Sequence, residues 1–141
     1  MILVQNKKIN LEYKIEDRKT FGVELLGGEV KSLKNKHGNM EGGRILLKGG
    51  ELFLLGVFIP AYQEKNSENI DHYRIRKLLA TKREIQELHD LGHGNNLQIF
   101  PIAFHLTGRF IKLECGIGAR MKKQDKREYI KERDLKKKGN E

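Results

Sequence analysis

The sequence predicts one mainly β domain, a closed or partly open barrel-like sheet with inserted helices, followed by a basic C-terminal tail. Short β-prone segments separated by turn glycines predict the sheet, and two segments with helical spacing or capping signals predict the helices. A concentration of basic residues near the end of the chain predicts the tail. With 141 residues, 38% of them hydrophobic, the chain can bury one core, so we assign residues 1–118 to a single body.

Four segments of the body are predicted as strands of two hairpins. Residues 44–48 and 51–59 flank Gly49-Gly50, a two-residue link typical of tight hairpins. A second hairpin is indicated by residues 97–106 and 109–115 around Thr107-Gly108, with partial alternation in its later strand.

Earlier in the chain, residues 13–15 and 21–26 are predicted as two shorter strands, which gives five or six strands in all. Lys112 alternates with apolar neighbours in the last strand, so its side chain is expected on the solvent face, within reach of a backbone phosphate.

A helix is predicted after Thr81, because Thr81 and Glu84 form a capping box. Apolar residues recur around this start at near-helical spacing, namely Leu78, Ile85, Leu88 and Leu91, and the glycines Gly92 and Gly94 should end the helix. Residues 29–36 are predicted as a second, two-turn helix that ends near Gly38. The polar residues 62–71 are interpreted as a mobile loop. Together these elements describe an oligonucleotide-binding (OB) fold-like body.

The charge of the chain indicates a polyanionic partner. It carries 28 Lys and Arg against 19 Asp and Glu, a net charge of +9, so nucleic acid is the first partner to consider. The most apolar stretch, residues 52–60, is far shorter than the roughly 20 residues that span a bilayer, and we expect no membrane insertion. The N-terminus lacks a secretory pattern, and Cys115 is the single cysteine, so a cytoplasmic, disulfide-free protein is expected. We also expect a monomer.

Catalytic, metal and cofactor sites are not predicted. His89 and His93 are four residues apart, but Gly92 lies between them and no third ligand is near in sequence. The paired glycines match neither a P-loop nor a complete dinucleotide motif, and neither serine lies in a nucleophile elbow. Cys115 is interpreted as a buried apolar residue. The protein is therefore expected to be a non-enzyme without cofactors; the alternative among enzymes is a small basic nuclease.

Two basic segments are candidates for RNA contact. Arg74, Arg76 and Lys77 precede the capped helix, where guanidinium groups and helix N–H groups could both face phosphates; ordinary surface charge is the alternative. Residues 119–138 carry ten basic and four acidic side chains, a net +6. Because large apolar residues are few there, we predict that the tail, residues 119–141, is disordered when free and helical on a partner. A merely solubilising tail is the alternative.

Several segments, in order and spacing, resemble the SsrA-binding protein (SmpB) family across nearly the whole chain. The resembling residues are Glu12-Tyr13, Gly28-Glu29-Val30-Lys31-Ser32-Leu33, Asn39, Gly50-Glu51 with Phe53-Leu54, Arg74-x-Arg76-Lys77-Leu78-Leu79, Lys82-Arg83-Glu84, Gly116, and Asp125-Lys126-Arg127 with Ile130-Lys131. The chain departs from the family pattern at Leu11, Ala80, Thr81, Arg120, Met121 and Gln124.

The resemblance implies an adaptor that binds the tRNA-like domain of transfer-messenger RNA (tmRNA) and brings it, with elongation factor Tu, to stalled ribosomes for trans-translation. It implies a tmRNA-binding surface that includes Glu29, Leu79 and Lys112, with Asn39, Arg74, Arg76 and Lys77 as supports. Residues implied to face the decoding region and the empty mRNA channel are Lys122, Lys123, Asp125, Lys126, Arg127, Ile130, Lys131 and Arg133.

Glu29 has two interpretations: the first turn of a helix favours an acid, and a carboxylate can also accept from base amino groups. For the whole chain, the alternative within RNA binding is a ribosomal protein or a general single-strand-binding OB protein.

Overall fold

The main feature of the fold is one antiparallel sheet. The computed structural model describes residues 1–61, 70–94 and 96–121, together with 127, 130, 131 and 133. Seven strands lie within these residues: β1 Ile2–Gln5, β2 Tyr13–Val23, β3 Arg44–Lys48, β4 Glu51–Leu55, β5 Arg76–Leu79, β6 Gln98–Thr107 and β7 Phe110–Arg120. Three helices accompany them: α1 Ile9–Glu12, α2 Gly27–Lys34 and α3 Lys82–Gly94.

The sheet is open. Its strand order is β1-β6-β7-β2-β5-β4-β3, and every neighbouring pair is antiparallel. In the part of the chain that the structure describes, β1 and β3 are the two edges and are not hydrogen-bonded to each other. The predicted mainly β fold with inserted helices is confirmed, and of its two predicted forms the partly open one is observed rather than the closed barrel.

Apolar side chains of the sheet form a large core and a smaller cluster beside α1. The large core contains inward-pointing residues of the strands and further apolar side chains from the helices, while the smaller cluster consists of Ile9, Phe100, Ile102 and Ala103. The most deeply buried members of the large core are Phe21, Leu33, Met40, Leu52, Leu54, Ile59, Leu78, Phe104 and Leu113. Cys115 belongs to the same core, as predicted, and burial strongly raises the pKa of its thiol, which makes it unreactive.

Both predicted hairpins are confirmed. Gly49 and Gly50 link β3 to β4 with positive φ angles of 62° and 74°, a conformation that glycine adopts without steric cost. Gly108, with φ of 60°, lies in the turn between β6 and β7. The second strand of the first hairpin is shorter than predicted, since β4 ends at Leu55 and Gly56 turns the chain.

The prediction of two short strands near the N-terminus is wrong. Residues 13–23 form one strand, β2, which pairs with β7 along nearly its whole length and contains a bulge between Ile15 and Asp17. The polar run between the two predicted strands is largely solvent-exposed and therefore lacks the apolar alternation that reveals a strand. β1 and β5 were not predicted, because β1 is a short edge strand and β5 contains charged residues.

Both predicted helices form with shifted boundaries. At the start of α3, the Glu84 amide donates to Thr81 Oγ1 at 3.1 Å and the Thr81 amide donates to Glu84 Oε1 at 3.0 Å, which is the predicted capping box. Gly92 lies inside α3, and Leu78 belongs to β5 instead of the helix. α2 begins two residues before the predicted 29–36 helix.

Part of the predicted tail belongs to the sheet. Ala119 and Arg120 are the last residues of β7, opposite Lys14 and Tyr13, and the Met121 amide donates to the Glu12 carbonyl at 2.8 Å. Residues 127, 130, 131 and 133 are helical. The rest of the predicted tail, and residues 62–69 of the predicted mobile loop, lie outside the described residues. Among the helices of the described residues, none combines the length and apolar character of a membrane span.

Candidate nucleic-acid interface

The outward side of β5 and of the residues before it forms an exposed strip, defined here as Tyr73, Ile75, Lys77 and Leu79. Burial alternates from residue 71 to residue 79, so these four side chains share the solvent face while Arg76 and Leu78 point inward. Tyr73 is 58%, Ile75 57% and Leu79 52% exposed. The strip therefore combines an aromatic ring, two aliphatic side chains and a cation on one accessible surface.

A second line of residues crosses the strip at Leu79. Gly22 of β2 lies opposite both Leu79 of β5 and Lys112 of β7, and Lys112 lies opposite His105 of β6. Residues directly opposite each other in an antiparallel sheet point to the same face. Leu79, Gly22, Lys112 and His105, called the cross-strand row below, therefore extend over four strands of the outer face.

Gly22 provides the space in which the Leu79 side chain lies. A Cβ atom at this position would be 3.2 Å from Leu79 Cδ1 and 3.4 Å from Leu79 Cβ, closer than most real contacts of this kind. The missing side chain therefore lets the Leu79 side chain lie directly over Gly22, which stands between Leu79 and Lys112 in the cross-strand row.

The two lysines of this surface differ in their neighbours. Lys77 Nζ donates to Glu51 Oε1 at 3.0 Å, and this hydrogen bond raises the pKa of Lys77. Lys112 is exposed, and among the residues that the structure describes none forms an ion pair with it. Lys112 is therefore the cation of the cross-strand row that can neutralise a phosphate without breaking an existing pair.

Below the strip lies a buried ion cluster of Glu29, Arg74 and Arg76. Glu29 and Arg76 are 0% exposed, and the Arg74 side chain is 33% exposed. Arg76 donates to Glu29 Oε2 from Nε at 2.8 Å and from Nη2 at 2.5 Å, while Arg74 Nη2 donates to Glu29 Oε1 at 2.5 Å. Both carboxylate oxygens are thus occupied by charged donors, the strong form of hydrogen bond.

The cluster connects α2 to the segment that leads into β5. The Leu26 amide donates to Glu29 Oε1 at 2.8 Å, which caps α2 from its first turn. Arg76 also donates to the backbone carbonyls of Val57 at 2.7 Å and His72 at 3.0 Å. Three chain segments distant in sequence are therefore fixed around one carboxylate.

Glu29 is held in its charged form. Burial alone would raise the pKa of this carboxyl, but hydrogen bonds from Arg74, the Leu26 amide and Arg76 outweigh burial and hold the pKa below its ordinary value of 4.5. Burial lowers the pKa of Arg76, opposed by its hydrogen bond with Glu29. The Glu29 side chain is closed to solvent, so it lies in the first turn of a helix, as one interpretation predicts, and does not present an oxygen to a base.

Asn39 has a local structural role. Its backbone forms an isolated bridge with Phe58, with both N–H···O distances at 2.9 Å, and its Oδ1 accepts from the Glu41 amide at 2.9 Å. Phe58 in turn contacts the rings of His72 and Tyr73 at centroid distances of 5.4 Å. Asn39 is therefore linked to the strip through Phe58.

The structure separates the residues predicted for RNA contact into three groups. Lys77, Leu79 and Lys112 lie on the outer face; Glu29 and Arg76 lie inside, with Arg74 at the boundary. The predicted placement of Arg76 among phosphate-facing cations is wrong for this conformation, because β5 directs its side chain inward. Of the tail residues, Arg127, Ile130, Lys131 and Arg133 are helical and exposed, whereas Lys122, Lys123, Asp125 and Lys126 lie outside the described residues.

Sequence reasoning missed Gly22, Tyr73, Ile75 and His105 at this surface. In the run from Tyr73 to Leu79, outward-facing and inward-facing positions alternate as in a strand. The charged residues at both kinds of position obscure this pattern in the sequence. The described residues contain no group of three or more His, Cys, Asp or Glu side chains suited to a metal ion. What the outer face offers is binding chemistry: apolar contacts beside an unpaired cation.

The SmpB protein family model matches residues 3–141 of the chain. The SsrA-binding protein of Borreliella afzelii (strain PKo) is 38% identical over 136 residues, which cover 96% of this chain and 91% of the relative. The SsrA-binding protein of Mesoplasma florum is 38% identical over 138 residues, which cover 97% and 93%. A solved structure described as "tmRNA-SmpB: a journey to the center of the bacterial ribosome" is similar with a TM-score of 0.69 and 26% identity, covering 89% of this chain and 92% of that chain.

Proposed function

The chain belongs to the SmpB protein family, and from this premise we propose that it binds the tRNA-like domain of tmRNA and delivers it to stalled ribosomes. The observation that carries the proposal is the family match over residues 3–141, because it includes the body together with the basic C-terminal segment. Relatives of nearly the same length are SsrA-binding proteins, and the similar solved structure contains tmRNA and SmpB in the context of the ribosome.

The outer face of β5, β2 and β7 is the proposed RNA-binding surface of the body. Lys112 supplies a cation to a backbone phosphate, and the Leu79 side chain, which lies over Gly22, supplies an apolar contact. The buried ion cluster does not touch RNA in this proposal. Instead, Glu29 and Arg76 hold the segment that carries the strip in a fixed position, which lowers the entropic cost of binding.

The C-terminal residues 122–141 are the proposed ribosome-facing element. They contain nine basic and five acidic residues, a charge balance suited to the ribosomal RNA around the decoding region and the mRNA channel. Arg127, Ile130, Lys131 and Arg133 are proposed as part of that contact. Delivery is proposed to involve elongation factor Tu through the aminoacylated tmRNA, in the cytoplasm, where the ribosomes are; the protein contributes binding and positioning and no chemical step.

A titration with three RNAs tests the function. Affinity for the tRNA-like domain of tmRNA should exceed affinity for an unrelated tRNA and for a single-stranded RNA of equal length by at least about tenfold at near-physiological salt. Equal affinity for all three would indicate general electrostatic binding. A preference for the single strand would support the alternative of a single-strand-binding OB protein.

Removal of residues 122–141 tests the division between body and tail. The truncation ends after Met121, so β7 and the Met121 contact with Glu12 stay intact. Affinity for the tRNA-like domain should stay within about threefold at moderate salt, since only long-range attraction is lost. Peptide tagging on stalled ribosomes, measured in a reconstituted translation reaction, should be abolished. Loss of nearly all tmRNA affinity on truncation would contradict this division.

A further inference from the structure

Tyr73 is a large aromatic residue that is exposed although the structure around it is tightly organised. More than half of its surface is open to solvent, and its ring contacts Phe58 in a tilted arrangement at 5.4 Å between centroids and 51° between planes. Phe58 is itself fixed by its bridge to Asn39. One side of the Tyr73 ring is therefore supported while much of its surface stays accessible.

The backbone on both sides of Tyr73 is held as well. The Tyr73 amide donates to Asp71 Oδ1 at 2.9 Å, and the Arg74 amide donates to the Asp71 carbonyl at 3.1 Å. Arg76 donates to the His72 carbonyl, and Arg74 is paired with Glu29. An aromatic side chain on such a fixed turn loses little further freedom when a ligand packs on it.

The surroundings of Tyr73 favour a nucleobase over an apolar protein surface. Two cations are near Tyr73: Arg74, which follows it in sequence and whose side chain is one-third exposed, and Lys77, which lies further along the same strip. The strip on which it lies continues into the cross-strand row at Leu79, where Lys112 is unpaired within the described residues. Exposed aromatic rings interleaved with cations on a β-surface are the usual platform for unpaired bases, because each base has a π-face to stack.

We propose that Tyr73 is a stacking platform for an unpaired base of the RNA that lies along β5, and that this base extends the interface beyond the Leu79–Lys112 region. The proposal rests on the proposed function, since the RNA is the tRNA-like domain of tmRNA. Ile75, which is exposed two residues further along the same face, packs against the neighbouring sugar or base edge. The phosphates on either side of the stacked base lie within the field of Arg74 and Lys77.

The test uses Tyr73→Trp as a fluorescent reporter. The chain contains no tryptophan, so the introduced indole is the single one in the protein, and a base stacked on it quenches its emission. Titration with the tRNA-like domain should quench most of this emission while the dissociation constant stays within about threefold of wild type, because a larger ring still stacks. The matched control is Asn10→Trp, an exposed position on α1, next to the end of β2 that lies away from Gly22, whose emission should barely change.

Affinity measurements on Tyr73→Phe and Tyr73→Ala complete the test. The phenylalanine variant keeps the ring and should bind as wild type, whereas the alanine variant should bind roughly tenfold more weakly, as the loss of one base–aromatic stack implies. Unquenched emission of Tyr73→Trp together with unchanged affinity of Tyr73→Ala would overturn the proposal. The exposed ring would then be a candidate for contact with a protein instead of RNA. In that outcome wild-type affinity for the tRNA-like domain still supports the proposed function, whereas absence of wild-type binding would overturn both.

Discussion

The buried ion cluster and the cross-strand row meet at β5, through Arg76 and Leu79 respectively, and their charged residues have opposite environments. In the buried ion cluster, Arg76 and Glu29 are closed to solvent and satisfied by each other and by backbone groups. In the cross-strand row, Lys112 is exposed and unpaired among the described residues. The charges of the buried ion cluster are paired within the protein, whereas the charge of Lys112 is accessible to a ligand.

This difference teaches that basic residues near an RNA-binding surface do not all bind RNA. A buried ion pair that loses one partner leaves an uncompensated charge in a medium that solvates it poorly. Removing one partner should therefore lower the free energy of unfolding. An exposed lysine contributes little to stability and much to phosphate binding. Measurements of unfolding and of RNA affinity on the same variants can therefore separate the two sets.

Glu29→Gln should have the largest effect. It preserves the shape of the side chain but leaves Arg74 and Arg76 side by side without the carboxylate that pairs with both, which should lower the free energy of unfolding by about 3–5 kcal/mol. Urea unfolding followed by circular dichroism measures this, with the exposed Glu16→Gln on β2 as the control. Unchanged stability combined with lost RNA affinity would contradict the comparison, because the carboxylate would then contact RNA directly.

The pH dependence of unfolding should show the same cluster. Because the pKa of folded Glu29 lies below its ordinary value of 4.5, its contribution to stability is complete above that value and is lost as the pH falls through the folded pKa. The stability difference between wild type and Glu29→Gln should therefore shrink as the pH falls below 4.5. A difference that is constant over this range would show that the charge of Glu29 is not what stabilises the fold.

Lys112→Ala should change affinity instead of stability. The free energy of unfolding should stay within about 0.5 kcal/mol of wild type, as for other exposed substitutions. Affinity for the tRNA-like domain should fall about threefold to tenfold, and the slope of log K against log salt should become less steep by about one phosphate contact.

The matched control for this prediction is Lys14→Ala. Lys14 is also exposed and also on a central strand, but it lies roughly 26 Å from Gly22 along β2 at about 3.3 Å per residue. It should leave the salt slope nearly unchanged. An equal change for both lysines would indicate a diffuse electrostatic effect rather than a contact at Lys112.

Gly22→Ala should have the smallest effect. Its new Cβ would press on the Leu79 side chain at 3.2 Å, and Leu79 can move because half of it is exposed. We expect a stability change below about 1 kcal/mol and an affinity loss of about twofold to fivefold from displacing the Leu79 side chain. If the larger Gly22→Val binds RNA as well as wild type, the position of the Leu79 side chain over Gly22 does not contribute to binding.

Local signals in the sequence were sufficient for the elements that depend on local chemistry. Gly49-Gly50 identifies the first hairpin because glycine adopts positive φ angles without steric cost. Thr81 and Glu84 identify the start of α3 because the capping box is complete within four residues. The mainly β fold followed from these and similar signals.

The parts that could not be predicted depend on distant residues. Arg76 can be buried because it pairs with Glu29, which lies 47 positions earlier in the chain. Nothing in the local run Arg74-Ile75-Arg76-Lys77 distinguishes Arg76 from the exposed Lys77. The cross-strand row depends on the register of β5, β2 and β7, which sets Gly22 beside Lys112 and Leu79. Lys112 itself was predictable, because its alternation with buried neighbours is local.

The most direct test of the RNA-binding surface is a map of backbone amide chemical shift changes when the tRNA-like domain is added to the full chain. We expect the largest changes at Gly22, Lys77, Leu79 and Lys112, with small changes at inward-facing residues of the opposite side, such as Leu88 of α3 and Leu47 of β3. Changes concentrated around Leu88 and Leu47, with Gly22 and Lys112 unaffected, would contradict this expectation.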